Sequence, residues 1–346
     1  MIVPLIKVQS ENDWTETLLG QIKHWSLFGA TCLQIDFALD EAQLKSLQRV
    51  VKQTGGQTDI FIHSDDLSDE QALELLNIGG SGIVTSTGNR EHFASIPDDR
   101  LSFVDSDQWN VLAAPSAETI ADLEKEKRYA VVEADWLSEN PETIVDYYCA
   151  ILQSDRPDGL WSTIICDPLG IALGLAYSNR ESLLHALRSR QGTYWSRSRD
   201  GLWIKGLTSG ATQQLLGIRF DCDCDCLRFT VTQDAPGFCH RNTHTCFGAE
   251  RSIATVIQRL TERIHSPDAK SFTKKLAGDA ELLQKKLLEE AQELAEAAQL
   301  DDRYEVAWEA ADVMYFSLVA MLNNGVGLEE VYAELARRMN RIVRRN

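Results

Sequence analysis

The sequence predicts a multidomain chain, with an N-terminal α/β region, a middle α+β region and a C-terminal all-α region. Three observations predict it. To about residue 150, short β-rich runs alternate with amphipathic helical runs. From about 155 to 248, strands and irregular loops take over and gather most of the cysteines. From about 250 the chain reads as helix almost throughout, broken near Gly278 and at "NNGVG". At 346 residues the chain exceeds one average domain, and the expected division is 1–150, 151–248 and 249–346.

In the first region "VPLIKV", "CLQIDF", "DIFIHS", "SGIVTS" and "LSFVDS" read as strands. "DEAQLKSLQRVVKQTGG" and "SDEQALELLNIGG" read as helices, each closing on glycine. This βα alternation implies a mostly parallel sheet, either barrel-like or an open βα sheet. About six strands can be counted, too few for a complete eight-stranded barrel.

The formal charge of -18 excludes a general nucleic-acid binder, which needs a basic surface. Phosphorylated small molecules remain open as substrates, because local Lys and Arg residues and metal ions suffice for them. No apolar run is long enough to span a bilayer, and "MIVPLIKVQS" lacks the apolar core of a signal peptide. A cytoplasmic protein is expected. Of the eight cysteines, five lie between Cys222 and Cys246, a crowding that favours metal binding in a reducing compartment.

"DCDCDC" opens that stretch. If residues 218–231 form a strand, Cys222, Cys224 and Cys226 share one face, and Asp221, Asp223 and Asp225 share the other. Downstream, "GFCHRNTHTCFG" adds Cys239, Cys246, His240 and His244. Three thiolates with an open position suit a catalytic zinc, and three aspartates suit Mg²⁺. Spacing alone leaves a closed structural zinc site, or buried free thiols, equally open. Upstream, Arg197, Arg199 and Lys205 stand among hydroxyls and glycines, including Thr208, Ser209 and Gly210, a mixture able to hold a phosphate.

Together "SRSR", "LW-x-KG-x-TSG", "DCD-x-D" and "CH-x5-CF" resemble the phosphoribosyl-AMP cyclohydrolases of histidine biosynthesis, over about residues 155–248. The resemblance implies zinc on Cys222, Cys239 and Cys246, contributed across a homodimer interface, and magnesium at Asp221, Asp223 and Asp225. It implies attack of the activated water at C6 of adenine, opening the N1–C6 bond. His240 matches the family's histidine after the second cysteine, a proton-transfer candidate. Two positions depart from the pattern: Cys224 and Cys226 need not be cysteine, and Leu207 stands where many relatives carry glutamate.

In the helical region, "KKLLEEAQELAEAAQ" presents Glu289, Glu290 and Glu293. "EVAWEAADVMYFSLVAML" is apolar except for Glu305, Glu309 and Asp312, at i, i+4 and i+7 on one face. A helix apolar nearly all round should be buried, and its carboxylates then need a cation or hydrogen-bonding partners. A di-iron bundle would need Glu-x-x-His pairs, and this helix has no histidine. The pattern, with "SFTKKLAG", resembles the helical phosphoribosyl-ATP pyrophosphohydrolases over about residues 250–338. The resemblance implies Mg²⁺ on Glu289, Glu290, Glu293, Glu309 and Asp312, with Glu290 and Glu309 catalytic. Lys286 is a substrate-binding candidate, with Lys274 and Lys275 as weaker ones. Phe316 stands where relatives often carry histidine.

The order of the two regions is similar to bifunctional histidine-pathway enzymes and to the front part of eukaryotic multifunctional ones, which usually continue into a histidinol dehydrogenase domain. Expected partners are phosphoribosyl-ATP, phosphoribosyl-AMP and a second copy forming a homodimer with shared active sites, with no nucleic acid or membrane. Two other readings stay open: a zinc-stabilised scaffold with a helical dimerisation module, and a pyrophosphohydrolase for another nucleoside triphosphate. "LLNIGGSGIVTSTGNREHF" resembles segments of phosphate-binding (βα) barrels. Asp36 ends a strand there without a convincing catalytic partner, so the expectation is a silent, barrel-like domain that supports assembly.

Overall fold

The computed structural model describes residues 1–9, 14–86, 90–104, 106, 108–248, 252–268, 270–300 and 302–342. Part of the glycine-bearing run of the barrel-like segment, residues 87–89, lies outside them. By packing, the chain forms two compact units, Met1–Cys246 with Ala333–Asn346, and Phe247–Tyr332.

The first unit begins with β1 (Ile2–Lys7), α1 (Thr15–Trp25), β2 (Ala30–Gln34), α2 (Glu41–Thr54), β3 (Asp59–His63), α3 (Asp69–Asn77) and β4 (Gly82–Thr85). β5 (Leu101–Phe103), β6 (Trp109–Leu112), α4 (Ala117–Lys125), β7 (Tyr129–Glu133), α5 (Ala134–Glu139) and α6 (Pro141–Ile151) complete this region. Among the described residues, seven strands pair in parallel in the order β5-β4-β3-β2-β1-β7-β6. One parallel bridge, Val104 to Trp109, brings the outer strands together, so the sheet curls into a near-closed barrel. "WNVL" and "YAVVE" supply two strands beyond the five quoted from the sequence.

Strand alternation builds two apolar layers. Val3, Leu5, Ala30, Cys32, Val84, Trp109 and Val131 form one cluster with Phe61 and Tyr129 against it. The alternate residues Ile2, Ile6, Leu33, Ile60, Ile62 and Ile83 join the larger core that the helices cover. Strands buried on both faces are what a parallel sheet under helices requires. Polar caps start the helices: Asp40 with Gln43 and Ser68 with Gln71 form capping boxes on α2 and α3.

The chain continues through β8 (Trp161–Cys166), β9 (Ala172–Ser178), α7 (Arg180–Ser189), β10 (Thr193–Ser196), β11 (Gly201–Ile204), β12 (Gln213–Phe220) and β13 (Cys226–Gln233). β12-β13-β8-β9 form a mixed sheet, and β10-β11 a separate hairpin. The larger core runs without interruption from the barrel helices into this sheet, joining Ile22, Leu47 and Tyr148 to Ile165, Leu183 and Phe229.

The second unit contains α8 (Ile253–His265), α9 (Phe272–Gly278), α10 (Ala280–Ala297) and α11 (Arg303–Asn323). α12 (Leu328–Met339) follows, and its residues from Ala333 onward pack with the first unit. The expectation of a buried apolar helix fails for α11. Tyr304, Trp308 and Met314 are 67%, 56% and 52% exposed.

Candidate functional site

"DCDCDC" is not a strand. Residues 221–225 form the turn between β12 and β13, and the alternation of faces expected from the sequence is lost. The reason is local: Asp221 Oδ1 accepts hydrogen bonds from the backbone N–H groups of Asp225 (3.0 Å) and Cys226 (3.1 Å). An aspartate that bonds backbone amides downstream of itself stabilises a turn against a strand. Cys224 takes the left-handed conformation, φ 61°. The turn brings a carboxylate oxygen from each of Asp221, Asp223 and Asp225 within 4.8 Å of one another, all exposed. The charges of Asp223 and Asp221 push the Asp225 carboxyl above its ordinary range.

Cys239 and Cys246 lie together on the loop after β13, where each thiol shifts the other's titration. Hydrogen bonds from the Arg241 backbone and Thr243 lower the Cys239 thiol, whereas burial and then the charge of Cys239 raise that of Cys246. Both line a cavity of about 410 Å³ with His240, Lys205, Arg199, Thr208 and Ser209. His240 Nδ1 lies 3.9 Å from Cys239 Sγ. Cys222 is exposed on the hairpin turn and does not line this cavity. Two thiols of the expected zinc set therefore meet within one chain, and the third does not.

Lys205 is 6% exposed, and its ammonium lies 5.4 Å from the centre of the Phe238 ring. Burial lowers its pKa, while the Cys246 and Cys239 thiols pull it back up. Gly206, at φ 87°, turns the chain so tightly that a Cβ would lie 2.4 Å from the Thr212 backbone nitrogen. Gly210 closes the same turn, beyond the cavity wall. Arg197 also stands off the wall, its guanidinium 4.1 Å over the Tyr177 ring.

Sequence reading passed over Asp167. Its buried carboxylate accepts the backbone N–H groups of Leu169 (3.0 Å) and Ile171 (2.9 Å) through Oδ1, and meets His244 Nε2 at 3.2 Å through Oδ2. This anchors the thiol-bearing loop to the β8–β9 turn. The signal was present in "CDPLG", an aspartate two residues before a leucine–glycine turn.

In the helical unit, carboxylate oxygens of Glu290 and Glu293 on α10 and Glu309 on α11 lie within 4.8 Å of one another. Glu290 is 7% exposed, and Lys286 Nζ sits 3.0 Å from both Glu289 and Glu290. Among the described residues, Glu309 Oε2 is buried with no hydrogen-bond partner. Burial raises the Glu309 carboxyl, and Glu293, Glu290 and Asp312 raise it further. Three converging carboxylates, one with an orphaned buried oxygen, form a donor set that could hold a hard divalent cation. Glu289 stands outside the trio, and Asp312 lines a neighbouring cavity of about 590 Å³ with Arg263, Thr273 and Tyr315. Lys274 donates to the Ser266 carbonyl, Lys275 is exposed, and Phe316 is buried with the Lys286 ammonium 6.0 Å from its ring.

Residues 174–248 match the phosphoribosyl-AMP cyclohydrolase family model, and residues 253–339 match that of phosphoribosyl-ATP pyrophosphohydrolase. The histidine biosynthesis trifunctional protein of Candida albicans is 30% identical along 100% of this chain and 46% of its own length. The histidine biosynthesis bifunctional protein of Schizosaccharomyces pombe is 38% identical across 67% of this chain and 56% of its own. The chain thus spans about half the length of these fungal relatives. The bifunctional histidine biosynthesis protein of Parasynechococcus marenigrum is 40% identical over 49% of this chain and 84% of its own length. With both family models matched in tandem and that bifunctional relative covered over 84% of its length, the chain belongs to the histidine biosynthesis bifunctional protein family.

Proposed function

We propose that the chain performs two successive hydrolyses of histidine biosynthesis, in an order opposite to that of its domains. The helical region cleaves phosphoribosyl-ATP to phosphoribosyl-AMP and pyrophosphate. The middle region then adds water at C6 of the adenine and opens the N1–C6 bond. The observation that carries this reading is that each matched region concentrates one reactive cluster, thiols with Lys205 in one and converging carboxylates in the other.

In the helical site Glu290, Glu293 and Glu309 would hold Mg²⁺, with Glu289 and Asp312 at its margin. Bound magnesium would neutralise the polyphosphate and polarise it for attack by water. Lys286, pinned between Glu289 and Glu290, orients two of these carboxylates and is placed to pass to an incoming phosphate. In the middle site Cys239 and Cys246 fit a thiophilic cation, and the proposed third ligand is Cys222 of a second copy. Bound zinc would supply a water of lowered pKa. His240 stands beside Cys239 to move a proton, and Arg199, Lys205, Thr208 and Ser209 line the cavity toward the phosphate. Arg197, further out on Tyr177, and Gly210 in the turn support that phosphate site, and Asp221, Asp223 and Asp225 would hold the second Mg²⁺.

Exposed Tyr304 and Trp308 on α11, their rings 6.0 Å apart, support a homodimer, because exposed apolar side chains that adjoin one another mark a contact. All eight cysteines are free, which supports a reducing, cytoplasmic location. No helix among the described residues is long and apolar enough to cross a membrane.

The barrel-like region, residues 1–150, is proposed to be catalytically silent. Several polar groups at the C-terminal ends of its strands engage one another. Lys7 meets Glu133 at 2.5 Å, Gln34 donates to Asp36, and Asp65 accepts from Ser86 and Thr85.

The test is incubation with phosphoribosyl-ATP, following pyrophosphate release and the ring-opening absorbance change. Both should appear in the native chain, and Cys239→Ser should cut ring opening by orders of magnitude while pyrophosphate release persists. Loss of neither signal in folded, zinc-loaded Cys239→Ser protein would reject the thiol assignment.

A further inference from the structure

We infer that the seam where α1, α5 and α6 of the barrel-like region meet α7 holds a binding site for a small organic carboxylate, with Arg190 as its anion-binding group. Arg190 caps the C-terminus of α7 in the left-handed conformation, φ 55°, its N–H donating to the Ala186 carbonyl. Its guanidinium turns to α1, where Nη2 lies 2.8 Å from His24 Nε2 and Cζ lies 5.7 Å from the Trp25 ring centre. Nε is buried with no hydrogen-bond partner. Among the described residues no carboxylate pairs with this guanidinium, and the adjacent Arg188 is already paired with Glu142.

A partly buried cation without an anion is an expensive arrangement. Burial, in the absence of a carboxylate, pushes Arg190 down to about 10. Burial and the charge of Arg190 also lower His24, which is therefore neutral at pH 7 and contributes a ring rather than a second charge. One uncompensated positive charge remains.

Beside it lies a cavity of about 220 Å³ walled by Trp25, Phe28, Leu137, Ile144 and Leu187. The combination selects a ligand with one negative charge and an apolar body. A carboxylate pairs with a guanidinium through charge-assisted hydrogen bonds, which a neutral ligand cannot match. A phosphate monoester would bring a second negative charge toward Glu142, which is already satisfied. The small cavity limits the apolar body to a ring or a short chain. The site shares no residue with the thiol cavity or with the carboxylate trio, so it is separate from both reactions.

Calorimetric titration of the full chain with benzoate, benzamide and phenyl phosphate tests this. Benzoate should bind saturably and roughly tenfold or more tighter than benzamide, the charge-assisted pair supplying the difference. Arg190→Asn, which tolerates a positive φ, should weaken benzoate by at least about tenfold and leave pyrophosphate release unchanged. Should that variant fail to fold, the benzoate and benzamide comparison on the native chain decides alone. Equal affinity for benzoate and benzamide overturns the proposal, as does benzoate binding that survives Arg190→Asn. Phenyl phosphate binding tighter than benzoate overturns the carboxylate assignment.

Discussion

Glu309 shows how one carboxylate can be wrong for folding and right for chemistry. Its raised pKa means that the folded state binds a proton more tightly than the unfolded state does. The contribution of this carboxyl to the stability of the metal-free helical unit is therefore fully present below the ordinary glutamate range and is lost as pH rises through the raised value. Glu309→Gln keeps the shape and removes that dependence. Its unfolding midpoint in chelator should be equal to or above that of the native chain near neutral pH, with the gap closing in acid. Pyrophosphate release should fall by orders of magnitude. Normal turnover at saturating Mg²⁺ would make Glu309 structural. The position was legible in the sequence because acids on one face of an otherwise apolar helix demand a partner. Which of the five acids converge was not, since that depends on how α10 meets α11.

At the scale of the element, the β12–β13 hairpin is where sequence reading misplaced a structure. Strict alternation of Asp and Cys imitates the period of a strand, and the capacity of Asp221 to close a turn on the amides of Asp225 and Cys226 overrides it. The turn in turn explains Cys224, a non-glycine residue at φ 61°. Cys224→Gly removes that strain, about 1 kcal/mol, against a comparable entropic cost in the unfolded chain. Thermal unfolding should thus show a change within about 1 kcal/mol, and ring opening should be unaffected. A loss of ring opening comparable to that of Cys222→Ser would make Cys224 a ligand. The barrel strands show the opposite case, being legible as short apolar runs between helical ones. β6 and β7, "WNVL" and "YAVVE", are not among the strands quoted from the sequence.

For the whole molecule, the barrel-like region and the cyclohydrolase region share one apolar core. Arg219 of β12 crosses between them, donating to the Leu27 carbonyl at 3.1 Å, and its guanidinium lies against Gly29. Gly29 has φ 79°, and a Cβ there would fall 1.4 Å from Arg219 Nη2. Gly29→Ala should lower the stability of this unit by about 2 kcal/mol or more. Calorimetry should show barrel and cyclohydrolase melting together at the lowered temperature. Ring opening should then be lost on warming before pyrophosphate release, which belongs to the other compact unit. Separate melting of the barrel-like region would contradict the shared core.

Residue types and their spacing already specify the order of the regions, the thiols and carboxylates proposed to carry the chemistry, and the parallel character of the first sheet. These follow from residue type and from periods of two and of three to four, which are local properties. Long-range packing brings Cys239 and Cys246 together without Cys222, and makes Glu290, Glu293 and Glu309 converge while Glu289 stands aside. Packing likewise leaves Arg190 without a carboxylate partner among the described residues and gives the barrel a core shared with the next region. Such facts depend on which faces of distant elements are buried together, and burial is set by packing across the whole chain rather than by any local run of residues.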